Sequence, residues 1–152
     1  MKLLFAAALA LGIAGCAAPG VEQYRAEQPV LDLKQYLNGT LDAWGVFQGR
    51  SGEVKKRFHV VIDAKWDGDT GVLDERFSWS DGTNSRRVWT LTRQTDGTFR
   101  GTADDVVGEA IGEVAGNALR WRYVLELPVD GKVYHVDFDD WMFLMDDKVM
   151  LN

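Results

Sequence analysis

The chain has 152 residues, with 17 basic and 23 acidic side chains for a net charge of -6, six tryptophans and a single cysteine. An acidic surface without a basic stripe repels phosphate backbones, so nucleic acid is excluded as a partner. One cysteine allows no disulfide within the chain, and the length suits one domain with its own core.

The chain opens with "MKLLFAAALALGIAG": one charge at Lys2, about a dozen apolar residues, then the small residues Ala14 and Gly15. This is the pattern of a secretory signal, too short for a membrane span. Its end, "IAGC" (Ile13 to Cys16), resembles the bacterial lipobox, in which the thiol is lipidated and the signal is removed just before the cysteine. Residues 1–15 are therefore expected to be a signal peptide and Cys16 the lipidation site, which leaves no cysteine for catalysis or metal binding. Several acyl chains on one residue make attachment effectively permanent, since each buried methylene adds about 0.8 kcal/mol. Ala17, rather than Asp, after the cysteine suggests the outer membrane of a bacterial envelope, facing the periplasm. Loss of Lys2 with the signal moves the net charge from -6 to -7.

Residues 16–30, containing "AAPGVEQYRAEQPV", are small, polar and twice interrupted by proline, and read as a flexible tether. In "LDLKQYLNG" (Leu31 to Gly39), Leu33 and Leu37 at i, i+4 with Gly39 as a stop predict one helical turn.

From Thr40 the pattern turns to period two. Phe58, Val60, Ile62, Ala64 and Trp66 fall on one face of "VKKRFHVVIDAKW"; Leu119, Trp121, Tyr123, Leu125 and Leu127 do so in "NALRWRYVLEL". Such segments are strands with one apolar and one wet face. Asp-Gly at 67–68, 81–82, 96–97 and 130–131 marks tight hairpins, and "GRSGE", "AGN" and "MDDK" supply three more breaks. Seven breaks predict about eight consecutive antiparallel strands over residues 31–152. The expected fold is all-β, an up-and-down barrel that can be solidly filled or hold one small ligand; a two-sheet sandwich is the alternative.

The stretches "LDLKQYLNGTLDAWGVFQGRSGEVKKRF", "SDGTNSRRVWTLT", "GTADDVVGEAIGEVAGNALRWRYVLELPVDGKVYHVDFDDWM" and "DDKVMLN" resemble the DUF3833 family of bacterial lipoproteins from Leu31 onward. The resemblance implies a lipocalin-like, exported domain and brings no catalytic residues with it. It also implies a further strand after "VMLN", where this chain stops in mid-pattern, so the barrel is expected to be incompletely closed with an exposed edge.

The aromatic residues Trp44, Phe47, Phe58, Trp66, Phe77, Trp79, Trp89, Phe99, Trp121, Tyr123, Phe138, Trp141 and Phe143 suggest a lined interior. Trp44, Phe58, Trp66, Trp79, Trp89, Trp121, Tyr123, His135 and Trp141 are the candidate ligand-binding residues; the alternative is that aromatics simply fill the core. "GTADDVVGEAIGEVAGN" reads as one bent strand, its glycines marking bulges or close backbone approach, either as a barrel corner or as a portal. Asp104-Asp105, Asp139-Asp140 and Asp146-Asp147 lack the spacing of a calcium loop and read as turn and rim carboxylates, and His59 as structural. His135, Asp137 and Asp139 share one strand face, the only hint of acid/base chemistry. No cofactor, metal or catalytic site is expected. Three functions follow: a membrane-tethered periplasmic carrier of a lipid or small apolar ligand, a filled-core lipoprotein docking another cell-envelope protein, or an enzyme using His135.

Overall fold

A computed structural model describes residues 19–129 and 131–152; the signal segment and Cys16 lie outside them. Nine strands form one antiparallel meander in chain order: β1 (Gly39–Gln48), β2 (Val54–Asp67), β3 (Thr70–Trp79), β4 (Asn84–Arg93), β5 (Phe99–Thr102), β6 (Ala110–Ala115), β7 (Ala118–Val129), β8 (Lys132–Leu144) and β9 (Met150–Leu151). The sheet is strongly curled into a half-barrel with open edges. The direction of the curl follows from aromatic contacts between strands that are not neighbours. Trp66 of β2 meets Phe99 of β5 edge-on at 6.2 Å, and Trp89 of β4 meets Trp121 and Tyr123 of β7 at 5.6 and 5.4 Å. The face carrying these rings is therefore concave.

The expected strands are present with one correction. The stretch predicted as one bent strand is two, β5 and β6, paired Phe99 to Gly112 and joined by residues 103–109. The loop is pinned to β7, where the Val107 amide donates to the Val124 carbonyl and the Glu126 amide to that of Asp105. Gly101 and Gly112 mark close approach: a Cβ at either would stand 2.4 or 2.5 Å from the Trp121 ring. In the Asp81 and Asp96 turns the carboxylate accepts from the backbone amide two residues on, and Gly82 and Gly97 take the positive φ that the turn needs.

The predicted helical turn is α1 (Leu33–Tyr36), capped by Asp32, whose Oδ1 accepts from the amides of Lys34 and Gln35. Leu31 and Leu33 are buried against Leu73, Trp89, Leu91, Phe99 and Trp121, so α1 fills one end of the concave face. The Trp66 indole donates to the Leu37 carbonyl at 2.6 Å and ties the plug to β2.

The segment expected to be a flexible tether is ordered from residue 19. A 3-10 turn over Val21–Tyr24 lies on the convex face, with Val21 buried against Ala115 and Ala118, and Tyr24 packed on Trp141 and Phe143. The chain then crosses the β6–β7 turn, where the Leu31 amide donates to the Gly116 carbonyl at 2.8 Å. Apolar Val21 and Tyr24, inside a polar stretch, are what binds it. Gly116 has φ +55°, and a Cβ there would fall 1.8 Å from the Tyr24 carbonyl oxygen. Gly116→Ala is thus expected to cost about 2 kcal/mol, through the left-handed backbone and the displaced segment. Faster exchange of the Leu31 amide in the variant would report the detachment; unchanged exchange and stability would refute the crossing geometry.

Candidate functional site

The concave face divides into three zones. At the α1 end, Trp66, Trp89, Phe99 and Trp121 pack into the core. At the opposite end Phe47, Phe58, Phe77 and Trp79 form a half-exposed ledge, ring to ring at 5.4 to 6.0 Å, with Phe77 stacked on Trp79. Gly45 makes room for it, since a Cβ there would stand 2.3 Å from the Phe58 ring. The Lys56 ammonium lies 4.5 Å over Trp79, whose indole donates to Ser85. An open cleft of about 850 Å³ runs past Phe58 and Trp79 to Trp44, His59 and Asn152 at the β1 edge.

Between plug and ledge lies a cluster of polar groups on an otherwise apolar surface. Glu75 of β3 is the cross-strand partner of Arg87 of β4. Arg87 donates from Nε and Nη2 to the Asp105 carboxylate at 3.0 and 2.6 Å, and this fork holds the β5–β6 loop against β4. The Tyr123 hydroxyl donates to Asp140 at 3.1 Å and its ring stacks on Phe138 at 4.9 Å. Burial pushes the Glu75 carboxyl up to about 7 despite the Arg87 charge, and raises Asp140 and Tyr123 as well. Burial works against the Arg87 charge, but Asp105 holds it above its ordinary value. The cluster thus offers a carboxyl that carries a proton near neutrality, a guanidinium already engaged by an acid, and a phenol, all beside an aromatic ledge. A set of this kind orients a polar group by hydrogen bonding.

Six of the nine candidate ligand-binding residues, Phe58, Trp66, Trp79, Trp89, Trp121 and Tyr123, lie on the concave face. Trp44, His135 and Trp141 do not. Trp44 is the register partner of His59 on the convex face, 73% exposed and stacked on the His59 ring, which in turn bonds Asp42 at 2.6 Å. Trp141 is the register partner of Arg120 on the convex face, where Tyr24 packs on it edge-on at 5.8 Å. His135, Asp137 and Asp139 do share a face, but it is the convex one. His135 faces Glu126 at 3.2 Å and Asp139 is clamped by Arg120, so the trio makes no joint site. Of the acidic pairs, Asp105 and Asp140 belong to the polar cluster, while Asp146 caps the turn before β9 by accepting from Lys148 and Val149.

A family model described as a protein of unknown function, DUF3833, matches residues 10–152. The chain belongs to the DUF3833 family. It matches no curated protein and no solved structure. For this DUF3833 chain the site therefore rests on its own geometry. Glu75 and Arg87 escape the sequence reading, although a signal is there: the concave positions run Leu73, Glu75, Phe77 and Trp79 in β3 and Ser85, Arg87, Trp89 and Leu91 in β4. A charge interrupting the apolar face of two consecutive strands, at paired positions, is the trace of a built polar site.

Proposed function

We propose that the protein is a lipid-anchored lipoprotein of the periplasm, held in the outer membrane through Cys16, that carries a small amphiphile in the half-barrel. The apolar part of the ligand lies on the ledge of Phe47, Phe58, Phe77 and Trp79, and its polar end reaches Glu75, Arg87 and Tyr123. The observation that carries this reading is the continuity of a half-exposed aromatic ledge with a polar cluster on one concave surface. Arg87 is spent on Asp105, and Glu75 and Asp140 add acids beside it. A neutral or cationic head, such as an alcohol, amide or amine, therefore suits the cluster better than a carboxylate or phosphate.

Titration of tryptophan fluorescence with a long-chain alcohol, an alkylamine and a fatty acid of one chain length tests this. The alcohol and amine are expected to bind, the fatty acid at least about tenfold more weakly, and Phe58→Ala or Trp79→Ala to weaken binding about tenfold, which is roughly 1.4 kcal/mol. Tighter binding of the fatty acid, or no binding by any of the three, would overturn the reading. The second reading, a filled lipoprotein that docks an envelope protein, draws on the packing of Trp66, Trp89, Phe99, Trp121 and α1 across half of the concave face.

A further inference from the structure

The fork between Arg87 and Asp105 crosses a break inside the sheet. At the α1 end two strands stand between β4 and β7, but β5 pairs only with Thr90 to Arg93 of β4, and β6 only with Ala118 to Arg122 of β7. Toward the ledge, the β4 run from Asn84 to Trp89 has no strand on its β5 side among the described residues, and the 103–109 loop fills the interval. The backbone of that loop belongs to β7. Val106 bridges to Leu125, the Val107 amide donates to the Val124 carbonyl, and the Glu126 amide donates to the Asp105 carbonyl. Toward β4 the loop reaches with a side chain, the Asp105 carboxylate on Arg87.

The two partners of the fork are held differently. Arg87 is fixed in mid-strand, with Glu75 opposite it and the Trp89 ring 5.9 Å from its guanidinium carbon. Asp105 stands on a loop whose backbone bonds to β7 are independent of its carboxylate. What the carboxylate supplies is an anion, aligned for a two-point contact with a guanidinium on the concave face. The carboxylate head of a ligand would need that same edge of Arg87. It would find the edge occupied, with Glu75 opposite and Asp140, bonded to Tyr123, as a further acid in the cluster.

On the carrier reading, on which this rests, we infer that Asp105 is the residue that sets head-group specificity: it holds on Arg87 the place of an anionic head and so reserves the cluster for neutral and cationic ones. Glu75 is the second counter-ion. As the cross-strand partner of Arg87 it takes the guanidinium once Asp105 is neutralised, because loss of a repelling carboxylate favours its own ionised form. Neutralising both leaves a guanidinium whose nearest remaining acid, Asp140, is engaged by the Tyr123 hydroxyl. The site then prefers a carboxylate, which makes with Arg87 the fork that Asp105 made.

Titration of the full chain and its variants with an alkylamine, a long-chain alcohol and a fatty acid of one chain length, read by tryptophan fluorescence, tests the assignment. The parent is expected to bind the fatty acid most weakly. Asp105→Asn narrows the difference, and Asp105→Asn with Glu75→Gln reverses it, the fatty acid then binding about tenfold more tightly than the amine, roughly 1.4 kcal/mol. Adding Arg87→Gln to the double variant removes that gain. Asp139→Asn makes the same change of charge on the convex face, where Asp139 bonds Arg120, and should keep the order of the parent. Hydrogen exchange at the Glu126 amide reports whether the loop stays on β7. An unreversed order in the double variant, with alcohol and amine still bound by the parent, would overturn the role of Asp105 and leave the carrier reading standing. Reversal by Asp139→Asn would overturn it too, by making net charge the cause, and rapid exchange at the Glu126 amide in the double variant would do so by making the fork a clamp for the loop. No binding of any of the three, by parent and variants alike, would overturn both.

Discussion

Trp121→Ala is expected to lower the stability of the domain by about 3 to 5 kcal/mol, a large share of the total for a chain of this size. The ring is only 7% exposed and lies on the bare backbone of Gly101 and Gly112, with its edge toward Trp89. Two flanking glycines leave a hollow that no neighbouring side chain can fill once the indole is gone, which is why the upper end of the range is expected. The same geometry predicts non-additivity. Gly112→Ala alone places a Cβ 2.5 Å from the Trp121 ring and 3.2 Å from Phe99 Cβ, and is expected to cost about 1 to 3 kcal/mol by overpacking. In the Trp121→Ala background the added methyl meets no ring, so the second substitution becomes neutral or partly restoring. Urea unfolding of the two single variants and the double variant measures the cycle. Additive losses, or a Trp121→Ala loss under about 1 kcal/mol, would show that the indole is not seated between the glycines.

The glycines and the tryptophan also mark how far the sequence could be read. Alternation in β2 and β7 placed Phe58 to Trp66 and Leu119 to Leu125 on the concave face, because a sheet packed on one side imposes period two. Asp-Gly pairs marked the hairpins, because few other residues take the positive φ of such turns. The glycine-rich stretch reads as a single strand because residues 103–109 carry no Asp-Gly or proline, and what folds them back is a set of distant contacts: the Arg87 fork on Asp105 and the backbone bonds to β7. Alternation alone cannot say which face of an edge strand with apolar residues on both sides turns inward. For that reason Trp44, Trp141 and Phe143 read as interior aromatics, whereas Trp44 stacks on His59 and the other two carry Tyr24 on the convex face. The ordered crossing of residues 19–30 is hidden in a polar stretch, because one buried and one half-buried side chain, Val21 and Tyr24, are too few to produce a period.

Between about pH 4.5 and 7 the domain is expected to lose stability as pH rises, and Glu75→Gln is expected to remove that loss. The Glu75 carboxyl, with an ordinary value of 4.5, is raised by burial to about 7 in the folded chain. Over that interval the folded state keeps a proton that the unfolded state releases. Stability follows the difference in bound protons, so it declines as pH climbs from 4.5 and levels off above 7. At 1.36 kcal/mol for each unit, and discounted because the side chain is only half-buried, the decline is about 2 kcal/mol. Asp140, raised by burial too, adds to the same slope from its own ordinary range upward. The surface carboxylates act in the opposite sense at lower pH. Asp63, Asp74 and Asp139, bonded to Arg76, Arg86 and Arg120, are held below the ordinary value, so their contribution is present above pH 4 and fades on further acidification. The parent chain should therefore be most stable in mildly acidic solution, and the difference between parent and Glu75→Gln isolates the one carboxyl, because every other titrating group is common to both. Parallel curves for the two proteins from pH 4.5 to 7 would mean that Glu75 is solvated and ionised in the folded state. A fall of the expected sign, abolished by the substitution, would place a proton on the concave face at neutral pH, where a hydroxyl or amine could take the place of water beside it.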